Sequence, residues 1–224
     1  MLVLTPDDHA RVTAAVTQAE RSSDGEIVTV VAARSDKYHD AALHWAALTA
    51  LAAMALLALF PRVLLSVVDP ALGGWREEAG PGEIVAAVTV LAALAFLLAS
   101  AILRAPALRL ALTPPATKTR RVRARAVDLF RAGTERRTRG RTGVLIYLSL
   151  AERRAEIVAD AAIHAKVAPD IWGEAMAALL GHVRAGRVGE GLEAAVAQVG
   201  AVLAEHFPRT AGDTDELPDR VIEL

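Results

Sequence analysis

Apolar positions fall along this chain in three different rhythms. The first is unbroken: residues 41–60 and 84–103 are runs of 20 without a single Asp, Glu, Lys or Arg. A helix rises about 1.5 Å per residue, so each run covers about 30 Å, the thickness of bilayer hydrocarbon. Together they predict a transmembrane helical hairpin. The second rhythm is helical. Thr5, Pro6 and Asp8 predict a helix start, with Thr5 as N-cap, proline at the first helical position and an acid at the positive end of the dipole. Val12, Val16 and Ala19 continue it, and Gly25 predicts the stop. The third is a strand rhythm. Residues 26–33, EIVTVVAA, are β-branched with almost no polar alternation, as in a strand buried on both faces.

After the hairpin the helical rhythm returns. Residues 118–140 carry Val122, Ala126, Leu129, Phe130 and Gly133 as a narrow apolar stripe on a strongly basic helix that should end near Gly140. Residues 141–150 and 153–160 predict two strands joined by a tight turn at Ala151 and Glu152. In the second, Ala155, Ile157 and Ala159 alternate with Glu156, Val158 and Asp160, so one face is expected to be open. Helices are expected over 170–185, with Ile171, Met176, Leu179, Leu180 and Val183 inward, and over 188–206, with Leu192, Val196, Val199 and Leu203 inward. Gly186 and Gly189 mark their junction, and Pro208 ends the second.

The order is helix, strand, hairpin, helix, strand, strand, helix, helix. A strand, a long crossover containing a helix and a further strand follow βαβ logic, which predicts the α/β class: a small sheet covered by helices and interrupted by the membrane hairpin. The expected division is 1–40 as the first part of the soluble domain, 41–103 as the hairpin, 104–141 as a basic juxtamembrane segment, 142–207 as the second part, and 208–224 as a polar tail closing on Val221, Ile222 and Leu224. The two soluble parts are too short to build separate cores and should fold together.

Charge adds an orientation. The net charge of −1 gives no global field, but residues 104–141 hold twelve Lys or Arg against Asp128 and Glu135. The loop between the spans has Arg62 and Arg76 against Asp69, Glu77, Glu78 and Glu83. By the positive-inside rule both termini are cytoplasmic and the loop is outside, with Trp75 as an interfacial aromatic, the layout of a multi-pass protein of the bacterial inner membrane. The N-terminus, MLVLTPDDHARV, has no basic n-region or apolar h-region of a signal peptide. Arg120, Arg121, Arg123 and Arg125 are candidate contacts for anionic lipid headgroups, at about 1 kcal/mol for each charge near the surface. With Phe130 as the one aromatic among them, nucleic-acid binding is not expected. Spans without charged interior residues offer no transport pathway, while Ala46, Ala47, Ala50 and Ala53 could pack against a membrane-protein partner or a second copy.

Candidate chemistry is sparse. The absence of cysteine excludes disulfides, thiolate metal sites and a Cys nucleophile. Histidines 9, 39, 44, 164, 182 and 206 include no i,i+4 pair. There is no phosphate loop and no G-x-S-x-G elbow, and Ser149 has no base nearby in sequence. No resident cofactor is expected from these residues. The carboxylates Asp36, Asp40, Glu156 and Asp160 follow or lie in strands, either as solvated strand-end groups or as a cation-binding cluster.

Residues 141–160, RTGVLIYLSLAERRAEIVAD, with the two helices after them and the upstream GEIVTVVA strand at 25–32, resemble the TPM-domain family. That family includes thylakoid-lumen proteins of photosystem II repair described as acid phosphatases, and many bacterial membrane proteins. The resemblance implies a small α/β sandwich and an acidic pocket near the strand ends that can hold a divalent cation such as Ca2+. Transferred to this chain, it makes Asp36, Glu156 and Asp160 catalytic candidates and Asp36 and Asp160 metal candidates. Family members with the cation site show Gly-Tyr-Gly-Leu-Glu after the third strand. This chain has Asp160, two alanines, Ile163, His164, Ala165 and Lys166, keeping one acid. The resulting expectation is a cytosolic TPM-like domain that serves as a non-catalytic interaction or scaffold module, the alternative being a membrane-anchored, divalent-cation-dependent phosphatase.

Overall fold

The computed structural model describes residues 4–71, 80–133, 142–210 and 217–224. In chain order its helices are α1 Pro6–Glu20, α2 His39–Leu59, α3 Pro61–Ala71, α4 Pro81–Ile102, α5 Pro106–Leu112, α6 Pro115–Gly133, α7 Ala161–His164, α8 Trp172–Arg184 and α9 Val188–His206. The strands are β1 Glu26–Ala32, β2 Gly143–Ser149, β3 Arg154–Ala159 and β4 Ile222–Glu223. The chain forms two compact units, Met1–Asp36 with Pro114–Leu224, and Lys37–Thr113.

In the first unit α1 opens as the sequence predicts. The Thr5 hydroxyl accepts from Asp8 N at 3.1 Å, and Asp8 Oδ2 accepts from Thr5 N at 2.9 Å, a reciprocal cap that satisfies two otherwise orphaned donors. Donation from the Thr5 N–H and hydroxyl holds the Asp8 carboxyl below its ordinary range. The helix closes at Glu20 rather than at Gly25. Gly25 has another role: a β-carbon there would lie 2.8 Å from Leu203 Cδ1, so close packing of α9 on the start of β1 requires its bare backbone.

The sheet runs β3-β2-β1-β4, with β1 parallel to both β2 and β4 and β3 antiparallel to β2. All seven residues of β1 and all seven of β2 are buried, as expected for continuous apolar strands covered on two sides. Strand periodicity sorts them. Ile27, Val31, Val144, Ile146 and Leu148 face the layer of α1, α8 and α9, whereas Val28, Val30, Leu145 and Tyr147 face Val122, Ala126 and Phe130 of α6. The stripe expected on the basic helix is therefore its sheet-facing side. Its expected continuation from Gly133 to near Gly140 lies outside the described residues.

Two expectations need correction here. The face of β3 bearing Glu156 and Val158 is not open, because α6 covers it and leaves both residues half-buried. The C-terminal segment is not simply a polar tail either. Leu217 and Val221 are buried, Ile222 and Glu223 pair with Val30 and Val31, and Leu224 N donates to Val31 O at 3.0 Å. His9 meets Glu223 and Thr17 meets Asp219, tying this returning segment to α1. A strand of two residues is too short for alternation to register in the sequence.

In the second unit, α2 and α4 are long and apolar enough to cross a membrane. Only Ala46 of α2 and Ala92 of α4 are buried, and Leu43, Leu48, Leu51, Leu94, Leu97 and Leu98 are exposed, so the two helices present most of their apolar surface outward rather than to a core of this chain. The segment expected to be an irregular loop begins with α3, and α5 follows α4. Each of these two helices starts on a proline, whose fixed φ and missing N–H suit a first helical turn. Trp45 Nε1 donates to Leu112 O at 3.1 Å and Arg109 Nη1 to His39 Nδ1 at 2.7 Å, holding α5 against the start of α2. The expected interfacial Trp75, with Gly73 and Gly74, lies outside the described residues.

Helices α1 and α9 meet at glycine. A β-carbon on Gly200 would stand 2.5 Å from Ala19 Cβ, inside any real contact distance. Gly200→Val should therefore force the helices apart and cost about 1–3 kcal/mol in a denaturant titration of the detergent-solubilised chain. Gly181→Ala, at a helical site with nothing within 4 Å, should be neutral or stabilise by up to about 1 kcal/mol.

Candidate functional site

Parallel strands in α/β folds commonly present their carboxyl ends to ligands. In this chain β1 and β2 end side by side, with Ala32 paired to Ser149. The chain leaving β1 stays attached to the turn after β2 through Leu150 N to Ala32 O at 3.0 Å and Ala151 N to Ala33 O at 3.1 Å. That turn reverses with Arg153 at a φ of 51°, a left-handed conformation that a non-glycine residue seldom adopts. It places Glu152 back under the strand ends, only 8% exposed.

Glu152 is the hub of a buried polar network. Its Oε1 accepts from Ser35 N at 3.0 Å, and its Oε2 accepts from the hydroxyl of Ser149. The Ser35 hydroxyl in turn shares a 2.9 Å bond with Tyr147 OH. Burial pushes the Tyr147 phenol above its ordinary range, against the opposing pull of the Ser35 bond. Beside the network Arg121 Nη1 donates to Asp36 Oδ2 at 2.8 Å. Ser149 and Glu152 have the pairing of a nucleophile and a base, but Ser149 is 0% exposed, so no substrate atom reaches its hydroxyl. The network locks the exit of β1 to the β2–β3 turn. The one local signal for it was an acid three residues after Ser149.

The carboxylates expected to share a cation are not brought together. Asp36 lies just past the carboxyl end of β1 and is engaged by Arg121. Asp160 follows β3, which runs antiparallel to β2, so it returns to the opposite end of the sheet and accepts from Gly143 N at 3.0 Å. Seven strand residues at about 3.3 Å each put those two ends about 20 Å apart. Glu156 sits between them, opposite Tyr147 and on the α6 side. Burial raises its carboxyl above the usual range, and the charges of Arg123 and Arg154 oppose that shift. A calcium ion bonded at about 2.3–2.6 Å cannot bridge these positions. Among the described residues no group of three or more His, Asp and Glu is placed to hold a metal ion. His164 is exposed on α7, its N–H bonded to Asp160 O at 3.1 Å, and Asp40 belongs to α2 in the second unit.

The four arginines of α6 do not make one basic face. At about 100° per residue, Arg123 projects to one side of the buried stripe and Arg121 and Arg125 to the other. Their surroundings agree: Arg121 meets Asp36, the charge of Arg125 acts on Tyr147, and that of Arg123 on Glu156. Arg120 is exposed and forms no ion pair among the described residues.

Comparison with known proteins bears mainly on the first unit. Residues 109–202 match the profile of a family described as "TPM domain". The matched stretch takes in α6, β2, β3, α7, α8 and most of α9, but neither β1 nor the paired apolar helices. The NMR structure of the BA42 protein from the psychrophilic bacterium Bizionia argentinensis sp. nov. is similar in fold, with a TM-score of 0.56 and 18% identity over 99% of this chain and 95% of that one. No curated protein matches.

The network makes a direct prediction. Glu152→Ala leaves the Ser149 hydroxyl and the Ser35 N–H without their acceptor and should destabilise the chain by about 1–3 kcal/mol in chemical denaturation. Glu152→Gln, which keeps one acceptor oxygen, should lose less.

Proposed function

We propose, on the match of residues 109–202 to the TPM-domain profile, that the chain is a membrane-anchored protein whose TPM-like domain is a non-catalytic interaction module at the cytosolic face of a bacterial inner membrane. One observation carries this reading: the first unit is assembled from chain on both sides of the apolar helix pair. β1 comes from before α2, whereas β2, β3 and α6 come from after α4, yet β1 and β2 pair over seven residues. A chain that crosses a bilayer between β1 and β2 must return to its starting side, and two spans do so. The dense positive charge of residues 104–141 supports the cytosol as that side.

The non-catalytic reading is supported by where the carboxylates are spent. Asp36 is tied to Arg121, Asp160 to the Gly143 amide at the far end of the sheet, and Glu152 to two donors. A phosphatase working through one cation held by Asp36, Glu156 and Asp160 is not favoured by that spacing. The arginines of α6 are the surface offered to anionic headgroups, with Arg120 the most available and Arg121 already engaged.

Two measurements test this reading. A reporter fused after Leu224 should read cytoplasmic and one inserted near Gly73 should read outside; the reverse pattern would overturn the orientation. For the lipid contact, a fluorophore at Ala124→Cys is unambiguous in a chain without native cysteine. In nanodiscs with a headgroup quencher, anionic lipid should quench it more than zwitterionic lipid. Replacing Arg120, Arg121, Arg123 and Arg125 with Gln should remove the difference. Equal quenching in both lipids would leave these arginines as orientation signals alone.

A further inference from the structure

Among the described residues the sheet ends at β3, whose outer edge has no ladder partner. Both faces of the strand are taken. Ala155 and Ala159 pack into the layer of α1, α8 and α9, and Val158 packs against the α6 side. What stays open is the row of backbone groups along the edge, and the register says which ones. Asp160 N donates to Gly143 O at 3.0 Å, so even-numbered residues of β3 direct their peptide groups toward β2. The odd-numbered Ala155 and Ile157 direct theirs outward.

The side chains at this edge form an incomplete pattern. Arg154 and Glu156 stand two residues apart on one face of β3, opposite Ser149 and Tyr147. Arg154 Nε is buried without a hydrogen-bond partner. Glu156 is half-buried and experiences Arg123 and Arg154 only as nearby charges, with no ion pair among the described residues. A cation and an anion spaced i and i+2 are self-complementary when such a strand meets its own copy antiparallel.

We propose that β3 pairs with β3 of a second copy about a two-fold axis at Ala155, joining two four-stranded sheets edge to edge. In that register Ala155 opposes Ala155 as a hydrogen-bonded pair through the outward peptide groups. Each Arg154 then opposes Glu156 of the second copy in the flanking non-hydrogen-bonded pairs, where Cα atoms lie about 4.5 Å apart and side chains are closest. The alternatives are poorer. An axis at Glu156 sets two carboxylates against each other, and an axis at Ile157 sets Arg154 against Asp160, already bonded to Gly143 N. An unrelated extended segment could use the backbone edge, but a second copy supplies both ion pairs by symmetry. The proposal extends the interaction-module reading by naming the partner, and it requires no contact with lipid, so failure of the headgroup test leaves it standing.

The test uses the full chain in detergent, with self-association followed by sedimentation equilibrium. Arg154→Glu and Glu156→Lys should each weaken the dimer by about tenfold or more, because each sets like charges opposite one another. The double exchange restores the opposite pairs and should recover the native dimer, which an effect on folding alone would not do. In the otherwise cysteine-free chain, Ala155→Cys should form a disulfide-linked dimer on mild oxidation, whereas Val158→Cys, about 20 Å from its copy, should not. A chain that stays monomeric would mean that the charges only blunt the edge, and the proposal is then wrong. It is equally wrong if association is indifferent to both charge reversals, as it would be if the apolar helices alone held the copies together.

Discussion

A strand with every side chain buried must be covered on two faces and paired on two edges, and β1 imposes that demand on the rest of the first unit. α6 answers on one face, α1 and α9 on the other, β2 along one edge and the returning C-terminal segment along the other. These elements come from both sides of the long apolar insertion, so neither soluble segment makes a core without the other. The glycines follow from the same demand. Gly25 and Gly200 lie where α9 approaches β1 and α1 too closely for a β-carbon.

The parts of the fold that could be read in the sequence were those decided locally. The start of α1 is written in Thr5, Pro6 and Asp8; the apolar helices in two stretches free of charge; β1 in a β-branched run and β2 in the apolar run 144–148; and the buried side of α6 in Val122, Ala126 and Phe130. Misreadings arose where the deciding contact is distant. Gly25 resembles a helix stop until Leu203 is seen against it, and Leu217 with Val221 looks like tail until it closes over β1. The Glu152 network depends on the segment after β1 lying beside the turn after β2, which no spacing in the sequence states.

The candidate acids make a different point. A parallel β1–β2 pair and a tight β2–β3 turn were both predicted, and together they already put Asp36 and Asp160 at opposite ends of the sheet. Their expected convergence came from the family resemblance, and it conflicted with the topology read from the same residues. Direction of the strands, more than the identity of the acids, separates a cation cluster from a set of structural carboxylates. What the domain does present outward is arginine on α6 and the open edge of β3.

The insertion between β1 and β2 also sets an order of events during synthesis. More than a hundred residues separate the two strands, and at about 5–20 residues per second β1 has several seconds to wait before β2 is made. Both apolar helices leave the ribosome within that interval. Sheet formation therefore waits on the whole insertion, and for those seconds β1 has α1 beside it but neither α6 nor α9 on its faces and neither β2 nor β4 on its edges. The chain is vulnerable to misassembly during this wait, whose length is set by the number of residues between the two strands.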